Sequence, residues 1–211
     1  MRGLFITLEG GEGVGKSTQL GWLQNKLTRA GWPVQVSREP GGSELGSKLR
    51  QIVLRDAMTP KAELLIYLAD RIQHAEEKLL PWLRQKQIVL CDRFVDSCEV
   101  YQGISRGLGQ PLVRRLHRLL LPPALWPGLT VLFDMPPEEG LKRACLRVGE
   151  NDRLESENLN FHRTVRQGFL AQAEREPGRI KIVNALGSVK EVNSRLWETV
   201  QPCLQAWERD G

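Results

Sequence analysis

The sequence predicts an α/β fold in which a five-stranded parallel sheet is covered by helices on both faces. Five short apolar segments have the length of buried strands: Leu4–Leu8, Val34–Val36, Ile88–Cys91, Val131–Phe133 and Ile180–Val183. Segments with helical periodicity separate these strands, as in the β-α-β units of a parallel sheet. The chain has 211 residues, 41% of them hydrophobic, which suits a single domain over residues 1–211 with a full core.

The first strand leads directly into a glycine-rich loop. Residues 10–17 read Gly-Gly-Glu-Gly-Val-Gly-Lys-Ser and match G-x-x-x-x-G-K-[ST], the pattern of a phosphate-binding P-loop. Phosphate oxygens must approach the backbone N–H groups closely, so bulky side chains are excluded from the turn. The helix predicted over Lys16–Ala30 points its positive dipole end at the same anion. Strand, loop and helix in succession indicate the P-loop NTPase fold rather than a chance glycine-rich turn.

This loop supplies the residues that we expect to bind a nucleotide. Lys16 would neutralise the β- and γ-phosphates of ATP or GTP, and the Ser17 hydroxyl would hold Mg2+. The predicted nucleotide-binding residues of the loop are Gly10, Gly11, Glu12, Gly13, Val14, Gly15, Lys16, Ser17 and Thr18.

The remaining helices are predicted from apolar periodicity and from capping residues. The C-terminal helix opens with Ser188 and Glu191 at the spacing of a capping box, and Pro202 should bend or end it. Residues 147–153 are polar and include a glycine, so this segment is predicted to be mobile. The other predicted helices are Glu44–Leu54, Lys61–Arg84, Leu112–Leu120, Glu138–Leu146 and Glu157–Glu174.

A second phosphate-binding element follows the third strand. Asp92 and Arg93 come at its carboxyl end, the edge of an open α/β sheet at which ligands bind. Asp134, after the fourth strand, is the competing acidic residue, but two prolines follow it closely and favour a helix-capping role. We favour Asp92 because the guanidinium beside it offers a phosphate clamp.

Composition limits the classes of protein that fit. The net charge of +5 and the pI near 9.2 permit nucleic acid as a partner, but the chain has no long basic run and no alternation of basic and aromatic residues. Without a membrane-length apolar run or a signal-peptide pattern, we expect a soluble, cytoplasmic protein with no nucleic-acid or membrane partner. The cysteines lack metal-site spacing, and the absence of N-K-x-D argues against a GTPase.

Three further segments indicate a site for a second, acceptor nucleotide. Residues 38–42, Arg-Glu-Pro-Gly-Gly, make a turn with both charges after the second strand. Tyr67 and Arg71 are four residues apart and share one helix face. Residues 96–103 add hydroxyl and amide groups just beyond Arg93. Aromatic stacking together with amide and guanidinium hydrogen bonds is a workable way to read a nucleobase.

Together these segments resemble the bacterial thymidylate kinase family, which phosphorylates dTMP to dTDP with ATP and so supplies the dTTP pool for DNA synthesis. The resemblance spans residues 4 to about 186, and its Arg-Glu-Pro-Gly-Gly and Asp-Arg-Phe…Tyr-Gln-Gly combination is more specific than the P-loop. It implies a phosphotransferase with ATP and Mg2+ as cofactors, dTMP as substrate, and a homodimer. The matching segments are residues 5–18, Arg38–Gly42, Tyr67–Arg71, Asp92–Phe94, Tyr101–Gly103, Gly140–Arg143 and Asp152-Arg153.

The resemblance implies roles for residues around the acceptor sugar and phosphate. Glu12 corresponds to the carboxylate that binds the deoxyribose 3′-hydroxyl, and Glu39 to the acidic residue near the Mg2+ waters. Arg38 and Pro40 help to shape the dTMP phosphate site, and Arg93 is the clamp between the acceptor phosphate and the donor. The implied metal-site residues are Ser17, Glu39 and Asp92.

A second group of residues is implied in base recognition. Tyr67 occupies the position of an aromatic ring, usually Phe, that stacks on thymine, and Arg71 that of an arginine contacting base and phosphate. Tyr101 is placed where an aromatic ring discourages a 2′-hydroxyl, and Gln102 near the base. The predicted substrate-binding set is completed by Ser97 and Cys98.

A lid over about residues 143–154 is the last part of the implied site. The P-loop has no basic residue among positions 10–15, where eukaryotic members carry an arginine, and in such enzymes lid arginines supply that charge. This nominates Arg143 as a nucleotide-binding residue and Arg147 and Arg153 as catalytic residues. The other predicted catalytic residues are Lys16 and Arg93.

Three positions depart from the family pattern. Cys98 stands where Ser, Thr or Asn commonly faces the thymine edge, and a thiol is a weak donor; the alternative role is a small, half-buried filler. Glu99 is an unusual charge, and Asn184 replaces the usual Asp before the adenine-side loop. The alternative functions are another nucleoside monophosphate kinase, or a P-loop NTPase without a nucleotide acceptor.

Overall fold

A five-stranded parallel sheet forms the centre of the computed structural model, which describes residues 3–146, 153–154 and 156–209. The strand order is β2-β3-β1-β4-β5, and every neighbouring pair is parallel. The predicted strands are confirmed, and each is longer by at least one residue. Their bounds are β1 Leu4–Glu9, β2 Val34–Arg38, β3 Ile88–Asp92, β4 Leu129–Asp134 and β5 Ile180–Asn184.

Helices cover both faces of this sheet. Their bounds are α1 Lys16–Arg29, α2 Glu44–Arg55, α3 Pro60–His74, α4 Leu80–Arg84, α5 Val95–Cys98, α6 Gln110–Leu120, α7 Pro137–Cys145, α8 Leu159–Arg175 and α9 Val189–Arg209. Two π-helical turns, Ala75–Leu79 and Glu99–Ser105, and a 3-10 turn at Pro123–Leu125 occur between them. Within the described ranges, no helix has both the length and the apolar character that a membrane span requires.

The apolar residues of β1 contribute to two cores, one on each face of the sheet. Ile6 and Leu8 belong to the cluster that includes Leu23 of α1 and Leu196 of α9. Phe5, which directly precedes Ile6, belongs to a separate cluster with residues of α4 and β3. Successive side chains of a strand point to opposite faces, so a strand covered on both sides needs a continuous apolar run.

One helical stretch, residues 95–105, is absent from the sequence prediction. It consists of α5 and the π-helical turn that follows, and nearly all of its residues are buried. A helix enclosed on all sides has no polar face, so the periodic signal of an amphipathic helix is missing. This buried stretch carries most of the segment that the sequence analysis assigned to base recognition.

Two helices respond differently to an internal proline. The helix predicted over Lys61–Arg84 changes to a π-helical turn just before Pro81, where a ring without an N–H disturbs regular α-helical bonding. By contrast, α9 continues past Pro202 to Arg209, so the helix does not end at that proline. The predicted capping box is confirmed, because Glu191 accepts from the Ser188 N–H at 2.7 Å and the Glu191 N–H donates to the Ser188 hydroxyl at 3.3 Å.

The sheet register brings the two phosphate-binding elements together. β1 and β3 are adjacent, with Leu8 opposite Asp92, so the P-loop after β1 and the Asp92-Arg93 pair after β3 emerge at one edge. The Arg93 N–H donates to the Leu8 carbonyl at 3.0 Å and continues the pairing beyond the strand. The carboxyl edge of a parallel sheet is where α/β proteins bind ligands.

Replacing Leu196 with alanine should test the core beneath this edge. Leu196 is fully buried between α9 and the sheet, and Leu196→Ala should lower the free energy of unfolding by about 2 to 5 kcal/mol through lost contacts and a cavity. The matched control is Leu146→Ala, because Leu146 is 85% exposed and its removal should change that free energy by less than about 0.5 kcal/mol. Equal effects in urea unfolding would contradict the described core.

Candidate active site

The loop between β1 and α1 forms a tight cradle with its backbone turned inward. Gly13 and Gly15 have φ angles of 69° and 91°, a region that favours glycine. A Cβ atom on Gly13 would lie 1.8 Å from the carbonyl oxygen of Gly140 in α7, so the loop and this helix touch through their backbones. Glycine is therefore favoured by conformation at both positions and required by packing at Gly13.

Lys16 lies across this cradle. Its ammonium donates to the carbonyls of Gly10 at 3.0 Å and Gly11 at 2.8 Å, and the residue is buried. Burial, followed by repulsion from Arg93, lowers the pKa of Lys16 to about 8. An anion entering the cradle would favour the charged ammonium and offset both effects.

The cradle opens into a cleft of about 1060 Å³, which the carboxyl ends of β1, β2 and β3 border. This cleft is lined by all predicted substrate-binding residues: Glu12, Arg38, Glu39, Pro40, Tyr67, Arg71, Arg93, Ser97, Cys98, Tyr101 and Gln102. The cleft is also lined by most of the predicted nucleotide-binding and metal-site residues: Gly13, Val14, Gly15, Lys16, Ser17, Thr18, Asp92 and Arg143. Gly10 and Gly11 lie next to it, beneath the Lys16 ammonium.

Arg93 joins the cradle to the rest of the cleft. Its Nη1 donates to the Gly10 carbonyl at 3.0 Å and to the Ser97 hydroxyl at 3.1 Å, and its Nη2 donates to Glu12 at 2.5 Å. Arg93 also has a φ of 69°, a left-handed conformation that costs a non-glycine residue roughly 1 kcal/mol or more. The side-chain contacts and the backbone bond to Leu8 hold this conformation in place.

Glu12 is the carboxylate that holds this guanidinium. It also accepts a hydrogen bond from the Tyr101 hydroxyl at 2.9 Å. Burial opposes the charged form of Glu12, but Arg93 and Lys16 outweigh burial and lower its pKa to about 2. Glu12 is therefore ionised throughout the physiological range, between two cations.

Glu9, the last residue of β1, is a buried site residue to which the sequence analysis gave no role. It accepts from the Phe94 N–H at 2.7 Å and from the Ser97 hydroxyl at 2.5 Å, and so fixes the turn that carries Arg93. Burial, and then the nearby Asp96 carboxylate, raise the pKa of Glu9 to about 7. An acidic residue that ends an otherwise apolar strand was the available signal.

A buried network holds Glu39 at the opposite wall of the cleft. Arg71 Nε donates to Glu39 Oε2 at 2.6 Å, and His74 Nδ1 lies 2.9 Å from Glu39 Oε1. His74 Nε2 is also 2.6 Å from the Ser37 hydroxyl. His74 has no predicted role, although it follows Arg71 by three residues and therefore shares its helix face.

His117 of α6 is a second histidine without a predicted role. Its Nε2 lies 2.7 Å from Nη1 of Arg71. Burial, and then repulsion from Arg71, lower the pKa of His117 to about 2, so the ring is neutral and accepts this hydrogen bond. Arg71 is thereby oriented from two sides, by Glu39 and by His117.

Ser17 and Asp92 form the part of the site that suits a divalent cation. The Ser17 hydroxyl donates to Asp92 Oδ2 at 3.3 Å, while the buried Oδ1 of Asp92 has no hydrogen-bond partner among the described residues. A hydroxyl oxygen and a carboxylate oxygen without a hydrogen-bond partner are ligands that Mg2+ prefers beside phosphates. Glu39, the third predicted metal residue, lines the same cleft but already accepts from Arg71 and contacts His74.

The predicted lid arginines are placed differently from one another. Arg143 lines the cleft and donates to the Ala185 carbonyl at 3.3 Å, whereas Arg147 lies outside the described residues. Arg153, the other predicted lid arginine, is not among the residues that line the cleft, and its guanidinium donates to Glu63 at 2.5 Å. Glu63 is buried, and an uncompensated buried carboxylate would be costly, which accounts for this pairing.

Asp134, the competing acidic residue, is not part of this cleft. It accepts two hydrogen bonds from Arg166, at 2.7 and 2.9 Å. Asp134 is therefore held by a bidentate ion pair, whereas Asp92 lies beside the Ser17 hydroxyl. The choice of Asp92 over Asp134 agrees with these positions.

Fold and cleft together define a P-loop phosphotransferase. A family model described as "Thymidylate kinase" matches residues 8–196. This chain belongs to the thymidylate kinase family.

Individual relatives support the same assignment. The chain is 50% identical to a thymidylate kinase of Synechococcus sp. (strain JA-2-3B'a(2-13)), over 95% of this chain and 96% of the relative. It is 48% identical to a thymidylate kinase of Deinococcus radiodurans, over 94% and 97% of the two chains. The crystal structure of thymidylate kinase from Ehrlichia chaffeensis superposes with a TM-score of 0.77 at 29% identity, covering 94% of this chain and 98% of that one.

The raised pKa of Glu9 should make the free energy of unfolding depend on pH. A carboxyl group with a higher pKa in the folded state binds its proton more tightly there, so its contribution is complete below pH 4.5 and is lost as the pH rises through about 7. Glu9→Gln has no ionisable group at this position. In urea unfolding, the variant should therefore show a smaller fall in the free energy of unfolding between pH 4.5 and about 7. Glu44→Gln, on an exposed side chain, is the control and should keep the wild-type slope. Parallel curves for wild type and Glu9→Gln would contradict the assignment.

Proposed function

We propose that the chain transfers the γ-phosphoryl group of ATP directly to the phosphate of dTMP, giving dTDP and ADP. One contact carries this proposal: Arg93 Nη1 donates to the carbonyl of Gly10 in the phosphate cradle at 3.0 Å. The same guanidinium faces the cleft that Tyr67, Arg71 and Gln102 also line. A cation at this junction can neutralise donor and acceptor phosphates at once, and charge neutralisation with in-line positioning is the main requirement of phosphoryl transfer.

The donor phosphates would be held by the P-loop. The backbone N–H groups of the loop and the N-terminus of α1 bind the phosphate oxygens, and Lys16 would leave the Gly10 and Gly11 carbonyls to neutralise the β- and γ-phosphates. Ser17 and Asp92 would hold Mg2+, directly or through water. When bound, Mg2+ neutralises phosphate charge and orients the donor oxygens.

The acceptor nucleotide would occupy the opposite half of the cleft. The phosphate contacts Arg38 and Arg93, and Tyr67 stacks on the base beside Arg71 and Gln102. The ring of Tyr101 stands against the 2′ position of the sugar. These assignments rest on the family resemblance and on the presence of each side chain at one cleft wall.

Two glutamates of the cleft, Glu12 and Glu39, would contact the sugar and the metal-bound waters. Glu12 would accept the 3′-hydroxyl, and its low pKa keeps it ready to accept. Glu39, with Pro40, would border the acceptor phosphate near the metal waters. Ser97 and Cys98 complete this wall, where Cys98 is buried beside Arg71.

The lid would supply the remaining positive charge. Arg143 already faces the cleft, and Arg147 belongs to the same segment of the sequence. Arg153 would anchor the end of the lid on Glu63 and act on the reaction through the position of that segment. Closure over the two nucleotides would exclude water and so favour transfer to dTMP over hydrolysis.

We further propose a homodimer in the cytoplasm, as the family resemblance implies. Residues of α3 and α6 pack into one apolar cluster, and both helices also expose leucines on their outer sides. Leu65 is 64% exposed and Leu119 is 78% exposed. A second copy of the chain would cover these side chains.

An acceptor panel with an arginine variant should test the proposed reaction. Wild type should release ADP from ATP with dTMP far faster than with UMP, CMP or GMP, or with no acceptor. Arg93→Ala should lose at least about a hundredfold in kcat, as when a charge-stabilising donor is removed from a transition state. Arg84→Ala, on an exposed residue of α4, is the control and should keep wild-type turnover. Fast acceptor-independent ADP release, or near-normal turnover in Arg93→Ala, would refute the proposal.

Turnover should depend on Lys16 of the phosphate cradle as strongly as on Arg93. Lys16→Ala should lower kcat by at least about a hundredfold, because the charge on the β- and γ-phosphates is no longer neutralised. Lys48→Ala removes a lysine that is 71% exposed on α2 and should leave kcat unchanged. Circular dichroism should show both variants folded. A Lys16→Ala enzyme with turnover like that of Lys48→Ala would exclude the assigned role.

A further inference from the structure

Glu63, in the first turn of α3, is a buried carboxylate to which the proposed reaction gives no role. Its side chain is 1% exposed, yet it accepts hydrogen bonds from three other parts of the chain. Oε1 accepts from Gln102 Nε2 at 2.8 Å and from Arg106 Nε at 3.4 Å. Oε2 accepts from Arg153 Nη2 at 2.5 Å. One carboxylate thus joins a cleft residue to the end of the lid segment.

The bond to Gln102 determines which end of its amide is free. An ionised carboxylate can only accept, so the NH2 group of Gln102 and not its carbonyl must face Glu63. Two arginines, Arg106 and Arg153, stabilise the ionised form that imposes this orientation. The amide oxygen of Gln102 is therefore the group that remains for a ligand in the cleft.

This orientation has a consequence for base recognition. At position 3 of the ring, thymine and uracil carry an N–H donor, whereas cytosine carries an acceptor nitrogen. A fixed carbonyl oxygen can accept from the former and repels the latter. An amide that is free to rotate could serve both bases by turning its NH2 group toward cytosine.

We propose that Glu63 is a positioning residue that locks the Gln102 amide with its oxygen toward the acceptor base, and thereby selects a base with an N3–H. This inference rests on the proposed function, because it assumes that a pyrimidine monophosphate binds beside Gln102. Specificity obtained in this way needs no contact between Glu63 and the base. It comes from excluding the amide rotamer that a cytosine nucleotide requires.

Binding of dTMP and dCMP to a Glu63→Gln variant should test this role. The new amide can donate as well as accept, so Gln102 is free to rotate while the shape of the site is kept. By isothermal titration calorimetry of the full chain, the ratio of the dCMP to the dTMP dissociation constant should fall roughly tenfold relative to wild type, the value of about one hydrogen bond. A role confined to folding would change both constants together and leave the ratio unchanged.

A matched control uses the other carboxylate of the same network. Glu157 accepts from Arg106 at 2.6 Å, with no contact to Gln102 among the described residues, so Glu157→Gln should keep the wild-type ratio. If Glu63→Gln fails to fold, the double variant Glu63→Gln/Arg153→Gln removes the unpaired guanidinium, and the same fall in the ratio is expected. A folded Glu63 variant with the wild-type ratio, or an equal shift in Glu157→Gln, would overturn the proposal.

The wild-type titration separates this inference from the proposed function. If wild type binds dTMP tightly and the ratio does not respond to Glu63, only the positioning role fails. If wild type does not bind dTMP, the acceptor assignment itself fails, and the positioning role fails with it.

Discussion

The guanidinium of Arg93 touches both the Gly10 carbonyl of the phosphate cradle and the Glu12 carboxylate, and the rest of the site is arranged around this contact. It requires the register that places β1 beside β3, because Arg93 follows β3 whereas Gly10 follows β1. It also requires a left-handed backbone at Arg93, which the Leu8 carbonyl and the buried Glu9 hold in place. An arginine placed between two phosphates can contribute about three to five orders of magnitude in rate.

Two positive charges, those of Lys16 and Arg93, lie close together at this contact, and carboxylates offset their mutual repulsion. Lys16 and Arg93 are close enough for their repulsion to lower the pKa of the lysine. Glu12 lies between them and stays ionised, so it offsets one of the two positive charges before a nucleotide binds. Phosphate groups would replace Glu12 as the partner of both cations. The same charges can therefore hold the fold together and bind the substrates.

Much of the fold could be predicted from the sequence because its signals are local. The strands are continuous apolar runs. The P-loop needs glycine at position 13 because a Cβ atom there would collide with the Gly140 carbonyl. The helical stretch at residues 95–105 could not be predicted, since its burial on all sides removes the amphipathic pattern. The rule that an internal proline ends a helix fails at Pro202, because α9 continues past this residue.

Most predicted site residues line one cleft, whereas the buried residues that hold them in place were not predicted. Glu9, Glu63, His74 and His117 are buried partners of site residues, and their pairing depends on contacts between segments far apart in the sequence. The family resemblance nominates Arg153 as a lid arginine, but no local pattern indicates that Glu63 would be its partner. Such partners follow from the tertiary structure alone.

The stereochemistry of the transferred phosphorus is the most direct test of a single cleft that holds donor and acceptor together. ATP made chiral at the γ-phosphorus with oxygen isotopes and sulfur should give a thymidine product with inverted configuration. Inversion is required if the acceptor phosphate attacks in line while both nucleotides are bound. Retention would reveal two successive transfers through a covalent intermediate and would contradict the account.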